Sequence, residues 1–356
     1  MSRTTPPVTK RSTSQQVAKR AGVSRSTVSF ILNNVPGMKF SAETRARVQQ
    51  AALELGYVPD AAARTLANGK SGTIGLIVNH AEHLIVDAFI PQVLYSLIKV
   101  SRERGFRTLV EAPEDVSNPD AYIRLVRAKR IDGLVVINPR LNDEGLRQLT
   151  QEGFPLVTLG KPRGSGGYSV SHRAGVREAV RHLIDLGHQR IAHITFAPEG
   201  HGSSDRRLTS YRRSLEDAGL LADPALVRHG NYSAASGFMA MRSLLTKRPY
   251  PTALFAGNDT LALGALAAVH QHGLRVPEDL AVVGYDDIPI AAYAVPPLTT
   301  VRTPATEQGR LAGEMVLDLI EGQPVPNPRL LLDTELIVRD SCGSALSQPS
   351  KKGRHV

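Results

Sequence analysis

The spacing of apolar and polar positions changes character along this chain of 356 residues, and the change divides it. Within the first 56 residues the apolar positions recur at helical intervals. Val17, Ala18 and Ala21 make one small face, Val28, Ile31 and Leu32 a second, and Val48, Ala51, Ala52 and Leu55 a third. Thr13, Ser24 and Ser41 stand where these helices would begin, and each side-chain oxygen can accept an unpaired first-turn N–H. Ser41-Ala42-Glu43-Thr44 is close to a capping box, with its acid one residue early. Gly22 and Gly56 supply the stops, because glycine tolerates the positive φ that ends a helix. The pattern predicts three helices closed around Val17, Val28, Leu32, Val48 and Leu55. The second helix turns Arg25, Ser26, Thr27, Ser29 and Asn33 outward, a short donor-rich face with no acid. Two helices around a glycine turn, the second with such a face, is how a helix-turn-helix enters a major groove. An ordinary helical hairpin is the alternative, and the third helix weakens it.

From residue 73 the pattern becomes short apolar runs separated by helical stretches. Strands are expected at 73–78, 107–111, 133–137 and 156–159, with helices at 89–105, 122–129 and 143–152. The rhythm restarts with helices at 175–187, 205–219, 233–247 and 260–272 around strands at 190–195, 253–256 and 281–284. Such βα units imply an α/β fold, parallel sheets with helices on both faces, here in two successive sets. Between head and body, Pro59 breaks the chain and Asp60 can cap a short helix at 61–67, followed by a Gly-rich link. Residues 1–12 read as a disordered basic arm and 342–356 as a disordered tail without leucine heptads.

Charge sharpens the division. The formal net charge is +10, yet residues 1–70 hold 11 Lys and Arg against Glu43, Glu54 and Asp60, a balance of +8. A basic head on a nearly neutral body points to a polyanion bound at one end. The head lacks the amphipathic aromatic face that membrane anchoring needs. A single cysteine, Cys342, leaves no internal disulfide or cysteine metal cluster. There is no apolar signal region after Arg3, Lys10 and Arg11, and no uncharged run of membrane-spanning length, so a cytoplasmic protein is expected.

The stretches VAKRAGVSRSTVSFILN (17–33) and SAETRARVQQAALELGYVPDAAARTLANGKSGTIGLIV (41–78) resemble the start of a lac repressor family regulator, and the resemblance continues to about Arg339. It implies a helix-turn-helix domain at 13–58, a hinge helix and linker at 59–71, and a two-lobed core at 72–341 like a periplasmic binding protein. The implied lobes are 72–170 with 303–326, and 171–302 with 327–341. In the family the hinge helix pairs with its dimer mate, and its leucine, here Leu66, wedges between minor-groove base steps; the Ala-rich face around Ala63 suits that close approach. The DNA-facing set is then Thr13, Ser24, Arg25, Ser26, Thr27, Ser29, Phe30, Asn33, Ala63 and Leu66. Arg25, Ser26 and Ser29 are the base readers, with Thr27 and Asn33 on phosphates. Phe30 departs from the arginine many members carry there, and an aromatic cannot pair with guanine.

The same resemblance places a small-molecule effector, expected to be a sugar, between the lobes at the carboxyl ends of strands. Arg207 aligns with the family arginine that holds hydroxyls or a carboxylate in its planar fork. Asn258 resembles a cleft ligand while Asp259 caps the following helix, although capping alone could satisfy both. Asp286 matches the carboxylate that accepts polyol hydroxyls. Tyr232 stands where an aromatic often stacks on a sugar, or is a core tyrosine, and Phe89 closes the cleft from the first lobe. Gly160 stands where some sugar-responsive members have an acid, and Ser171-His172 replaces the Asp-Asn pair common before the helix that begins the second lobe. No cofactor or metal is expected; the adjacent acids Asp286 and Asp287 lack a third ligand at suitable spacing. The expected function is a transcriptional regulator, a repressor, binding a palindromic double-stranded operator as a homodimer under effector control. The contrasting classes are an enzyme acting on its sugar and an effector-independent DNA-binding protein. No nucleophile elbow, phosphate loop or dinucleotide fingerprint supports the enzyme.

Overall fold

The computed structural model describes residues 12–33, 35, 37–58, 69–78, 81–113, 118, 120–139, 143–160 and 167–344. Most of the N-terminal arm, the expected hinge helix with Ala63 and Leu66, and the last twelve residues lie outside that set. The described residues form two compact units.

The first unit is three helices, α1 (Ser14–Ala21), α2 (Arg25–Leu32) and α3 (Ala42–Glu54). Each begins on the expected cap: Thr13, Ser24 and Ser41 accept from the N–H groups of Gln16, Thr27 and Thr44. At Thr13 the reciprocal bond from Gln16 completes a capping box. Gly22 ends α1 at φ 66°, in the left-handed region that only glycine enters freely. The core is Val17, Ala18, Ala21, Val28, Ile31, Val48, Ala51 and Ala52, with Leu32 and Leu55 packed at its rim. Ile31 rather than Leu32 therefore fills the centre. Ser12, expected in a disordered arm, instead donates to the Leu55 carbonyl at 2.6 Å.

The second unit holds two six-stranded sheets. Its first half runs β1 (Thr73–Ile77), α4 (His83–Val86), α5 (Phe89–Glu103), β2 (Arg107–Glu111), α6 (Asp120–Arg127), β3 (Gly133–Ile137), α7 (Glu144–Gln151), β4 (Leu156–Leu159) and β5 (Tyr168–His172). The chain continues through α8 (Val176–Asp185), β6 (Ile191–Thr195), α9 (Gly202–Glu216), β7 (Val227–His229), α10 (Ala234–Leu244), β8 (Ala253–Ala256), α11 (Asp259–Gln271), β9 (Ala281–Asp286) and β10 (Thr299–Arg302). It closes with α12 (Ala305–Glu321), β11 (Arg329–Leu332) and β12 (Glu335–Ile337). Strand order is β11-β5-β4-β3-β1-β2 in one sheet and β12-β10-β9-β8-β6-β7 in the other, parallel throughout except for β10 with β12. Central strands such as β3, β4, β6 and β8 are buried along their whole length, as sheets covered on both faces require.

The two expected lobes are present, with shifted borders. β5 and β11 pair with each other in the first sheet, so residues 171–172 and 329–332 belong to the first lobe, not the second. Strands β5, β7, β10, β11 and β12 were not evident in the periodicity; most are three to five residues long and lie toward sheet edges. Helix α9 starts at Gly202, three residues before the expected start, which puts Arg207 in its second turn. Helix α12 returns to the first lobe and lends its core Ala305, Ala312, Met315, Val316 and Leu317. Gly309 lies so close to Val93 and Ser96 of α5 that no Cβ fits. Cys342 is fully buried in the second lobe's core rather than in a loose tail. Ser341 beside it accepts from Thr299 N and donates to Val282 O at 2.8 and 2.6 Å, fastening the last turn to the sheet.

The backbone passes between lobes three times: from β5 to α8, from β10 to α12, and from β11 to β12. Gly175, at φ 35°, lies where those passes meet; a Cβ there would stand 2.5 Å from Val301 Cγ1 and 2.6 Å from Thr334 Oγ1. Gly175→Ala is therefore expected to destabilise the protein by about 1–3 kcal/mol through crowding. Thermal or urea denaturation of the purified variant measures it, and an unchanged midpoint would show that the neighbours give way.

Candidate functional site

In the first unit, α2 presents Arg25 and Ser26 exposed, with Thr27, Ser29, Phe30 and Asn33 half-buried. The Ser24 oxygen that accepts from Thr27 N also lies 2.7 Å from the Ser26 hydroxyl and 2.9 Å from that of Thr27. Asn33 donates its amide to Ser29 Oγ at 3.2 Å, and among the described residues its buried Oδ1 has no partner. Arg20 is tied to Glu54 of α3 at 2.8 Å, so that arginine braces α1 against α3. Arg25, by contrast, stands clear at the start of α2.

In the second unit, strand ends from both sheets surround a cavity of about 260 Å³. All five residues expected at the effector site border it: Phe89, Arg207, Tyr232, Asn258 and Asp286. Arg207 is the organising group. Its guanidinium lies 3.6 Å from the Tyr285 ring centroid and 4.4 Å from that of Phe196, one Nη donates to the Gly257 carbonyl, and the other is 3.8 Å from Asp286 Oδ1. One arm of the expected fork is thus anchored to backbone. Asp286 ends β9 at φ 107°, a strained conformation for a non-glycine residue, and touches Thr303 Oγ1 at 3.5 Å. Burial pushes its carboxyl well above the usual range, with Arg207 opposing and Asp87 reinforcing the shift.

Asn258, not Asp259, caps α11: its Oδ1 accepts from Leu261 N at 2.8 Å, and its Nδ2 donates to the Tyr232 carbonyl at 3.3 Å. Asp259 sits inside the helix, fully buried, and accepts from Thr300 Oγ1 at 2.6 Å and Ile288 N at 2.8 Å. Burial lifts it to about 7. Its role is to tie α11 to the sheet. Tyr232 is both wall and core: 4 % exposed, its hydroxyl is 2.9 Å from His201 Nε2 and its ring is 4.0 Å from that of His83. Asp287 faces away and accepts from Arg302 and Arg339, each at 2.7 Å.

The sequence reading missed several wall residues, among them Asp87, Asn138, Ser203, Tyr285 and Gln308. His172 also borders the cavity, and its ring is pushed down to about 4 by burial and then by Arg207, which keeps it neutral. A signal did exist for Gln308, since it is a polar residue on the apolar stripe Ala305, Ala312, Met315. Asp87 precedes α5 and accepts from Phe89 N at 3.0 Å, a local bond indistinguishable in sequence from any helix start.

A helix-turn-helix unit and a bilobal α/β unit enclosing a polar cavity define a ligand-sensing DNA-binding regulator. Residues 13–60 match the family model for bacterial regulatory proteins of the lacI family, and residues 180–342 match that for a periplasmic binding protein-like domain. The chain is 36% identical over 338 residues to the HTH-type transcriptional regulator CelR of Thermobifida fusca, covering 93% of this chain and 98% of that protein. It also resembles the solved CelR–cellobiose complex, with a TM-score of 0.70 and 34% identity over 93% of this chain and 100% of that one. A lac repressor dimer bound to operator and the anti-inducer ONPF superposes with a TM-score of 0.81 at 31% identity, covering 94% and 99% of the two chains. The chain belongs to the lacI family: it is a DNA-binding transcriptional regulator and not an enzyme. No helix among the described residues is long and apolar enough to cross a membrane.

Asp87 gives the cavity a pH signature. Burial raises its carboxyl to about 6, against lowering by the Phe89 N–H and by Arg207. The folded value exceeds the unfolded one, so its contribution is complete below about pH 4 and is lost as pH rises through 6. Two pH units correspond to roughly 3 kcal/mol. Asp87→Asn should consequently be more stable than wild type at pH 8, by up to that amount, with the gap closing toward pH 4. Denaturation midpoints across that range check it; a pH-independent gap would assign Asp87 another role.

Proposed function

We propose that this regulator is a cytoplasmic repressor that binds a palindromic operator as a homodimer and responds to a sugar held between its lobes. The observation that carries this reading is the cavity at the lobe junction, where Arg207, Asp286, Asn258, Tyr232 and Phe89 converge. Arg25, Ser26 and Ser29 of α2 read base edges, while Thr27, Asn33 and the helix starts at Thr13 and Ser24 hold phosphates. Phe30 offers apolar contact only. Residues 59–71 form the hinge, with Leu66 as the minor-groove wedge and Ala63 on its packing face; 72–341 is the effector and dimerisation core. Cellobiose in the CelR complex and ONPF in the lac repressor complex support a saccharide or glycoside as the ligand. A ligand that contacts both lobes biases their arrangement, and by linkage its affinity and that for DNA change reciprocally.

Two outcomes follow. Arg25→Ala should weaken a preferred operator by roughly 5- to 100-fold, the worth of a good base contact, and flatten discrimination among operator variants. Binding measured on a duplex library selected by the wild type tests this; an unchanged ranking removes Arg25 from base reading. Asp286→Ala should keep wild-type operator affinity while losing the effector response in the same assay, and a normal response would place the ligand elsewhere.

A further inference from the structure

The first lobe brings to the cavity a polar group that the fold leaves unpaired. Gln308 is 2 % exposed and borders the cavity from α12. Its Oε1 is buried without a partner, and among the described residues its side-chain amide makes no hydrogen bond. A buried amide in that state opposes folding. The neighbouring buried positions of α12 are Ala305, Gly309, Ala312 and Met315, so packing alone would be served by an apolar side chain. Elsewhere on the wall, among the described residues, Asp286 has no side-chain hydrogen bond shorter than 3.5 Å, and Asp87 accepts only from Phe89 N at 3.0 Å. Arg207 is already committed, to the Gly257 carbonyl and to the faces of Tyr285 and Phe196. Two carboxyls and an open amide thus face a guanidinium that is largely engaged.

We propose that the Gln308 amide is a specificity-determining contact for a hydroxyl-bearing effector. A hydroxyl both donates and accepts, so it can pair with either end of the amide. This assignment rests on reading the cavity as the effector site, and it deepens that reading by naming a residue that selects the ligand.

The test uses the full chain, with thermal shift and calorimetric titration against glucose and cellobiose. Wild type, Gln308→Met and Gln308→Leu are compared, the second variant guarding against a misfit of the first. Ligand-free Gln308→Met should melt at or above the wild-type midpoint, because an apolar side chain of similar volume replaces an unpaired amide. Its affinity for the uncharged sugar that binds wild type should fall roughly 5- to 100-fold, with DNA binding intact. A lower ligand-free midpoint in both variants, or sugar affinity within twofold of wild type, overturns the assignment alone. A wild type that responds to neither overturns both the assignment and the sugar reading beneath it.

Discussion

Three backbone passes between the lobes are the constraint on which the cavity depends. Where they meet, Gly175 has no room for a side chain beside Val301 and Thr334. The residues that face the ligand space are fixed within a few positions of these passes. His172 ends β5, Asp286 is paired in register with Arg302 at the end of β10, and Gln308 lies one turn into α12. A molecule filling the cavity therefore presses on groups attached directly to these passes, with little intervening side chain to absorb a shift. The tight crossing of α12 on α5 at Gly309 makes the first-lobe wall equally stiff.

Two buried aspartates, at neighbouring strand ends, show how partners separate scaffold from site. Asp259 receives a hydroxyl at 2.6 Å and a backbone N–H at 2.8 Å, so its oxygens are committed to holding α11 on the sheet. Among the described residues Asp286 has only a 3.5 Å contact and an arginine at 3.8 Å, in a strained backbone conformation. A carboxyl buried with so little internal compensation is arranged for something other than folding. Arg207 shows the complementary case, a charge kept in a cavity by two aromatic faces rather than by a close ion pair.

Much of this was legible in the chain because local chemistry and tertiary role agree. The caps at Thr13, Ser24 and Ser41 and the turn at Gly22 need only neighbouring residues, and the apolar spacing of α1 to α3 specifies its own core. Long buried strands such as β1 and β3 are continuous apolar runs. What escaped was set by partners distant in sequence. β11 is a strand because β5 lies beside it, and nothing in Arg329–Leu332 indicates which lobe will supply that neighbour. The exchange of roles between Asn258 and Asp259 turned on one residue of helix register. Asp87, Asn138 and Tyr285 entered the cavity through topology, while Cys342 was drawn into a core by a terminal turn that composition alone marks as tail. The five effector residues expected from family resemblance do converge, although Asn258 and Arg207 are more committed to protein partners than that resemblance implied.

The discontinuous lobes also bear on how the molecule comes into being. A nascent chain that has emerged only as far as β10 has every strand of the second lobe's parallel set, but the first lobe still lacks α12 over its hydrophobic face and β11 along its edge. Contacts between α5 and α12 join residues more than two hundred positions apart, the kind of distant pairing that slows folding. Until the last stretch leaves the ribosome, an apolar sheet face stands open to water and to other chains. The earliest translated lobe is therefore the last to be completed, and this interval is when the protein is most exposed to aggregation.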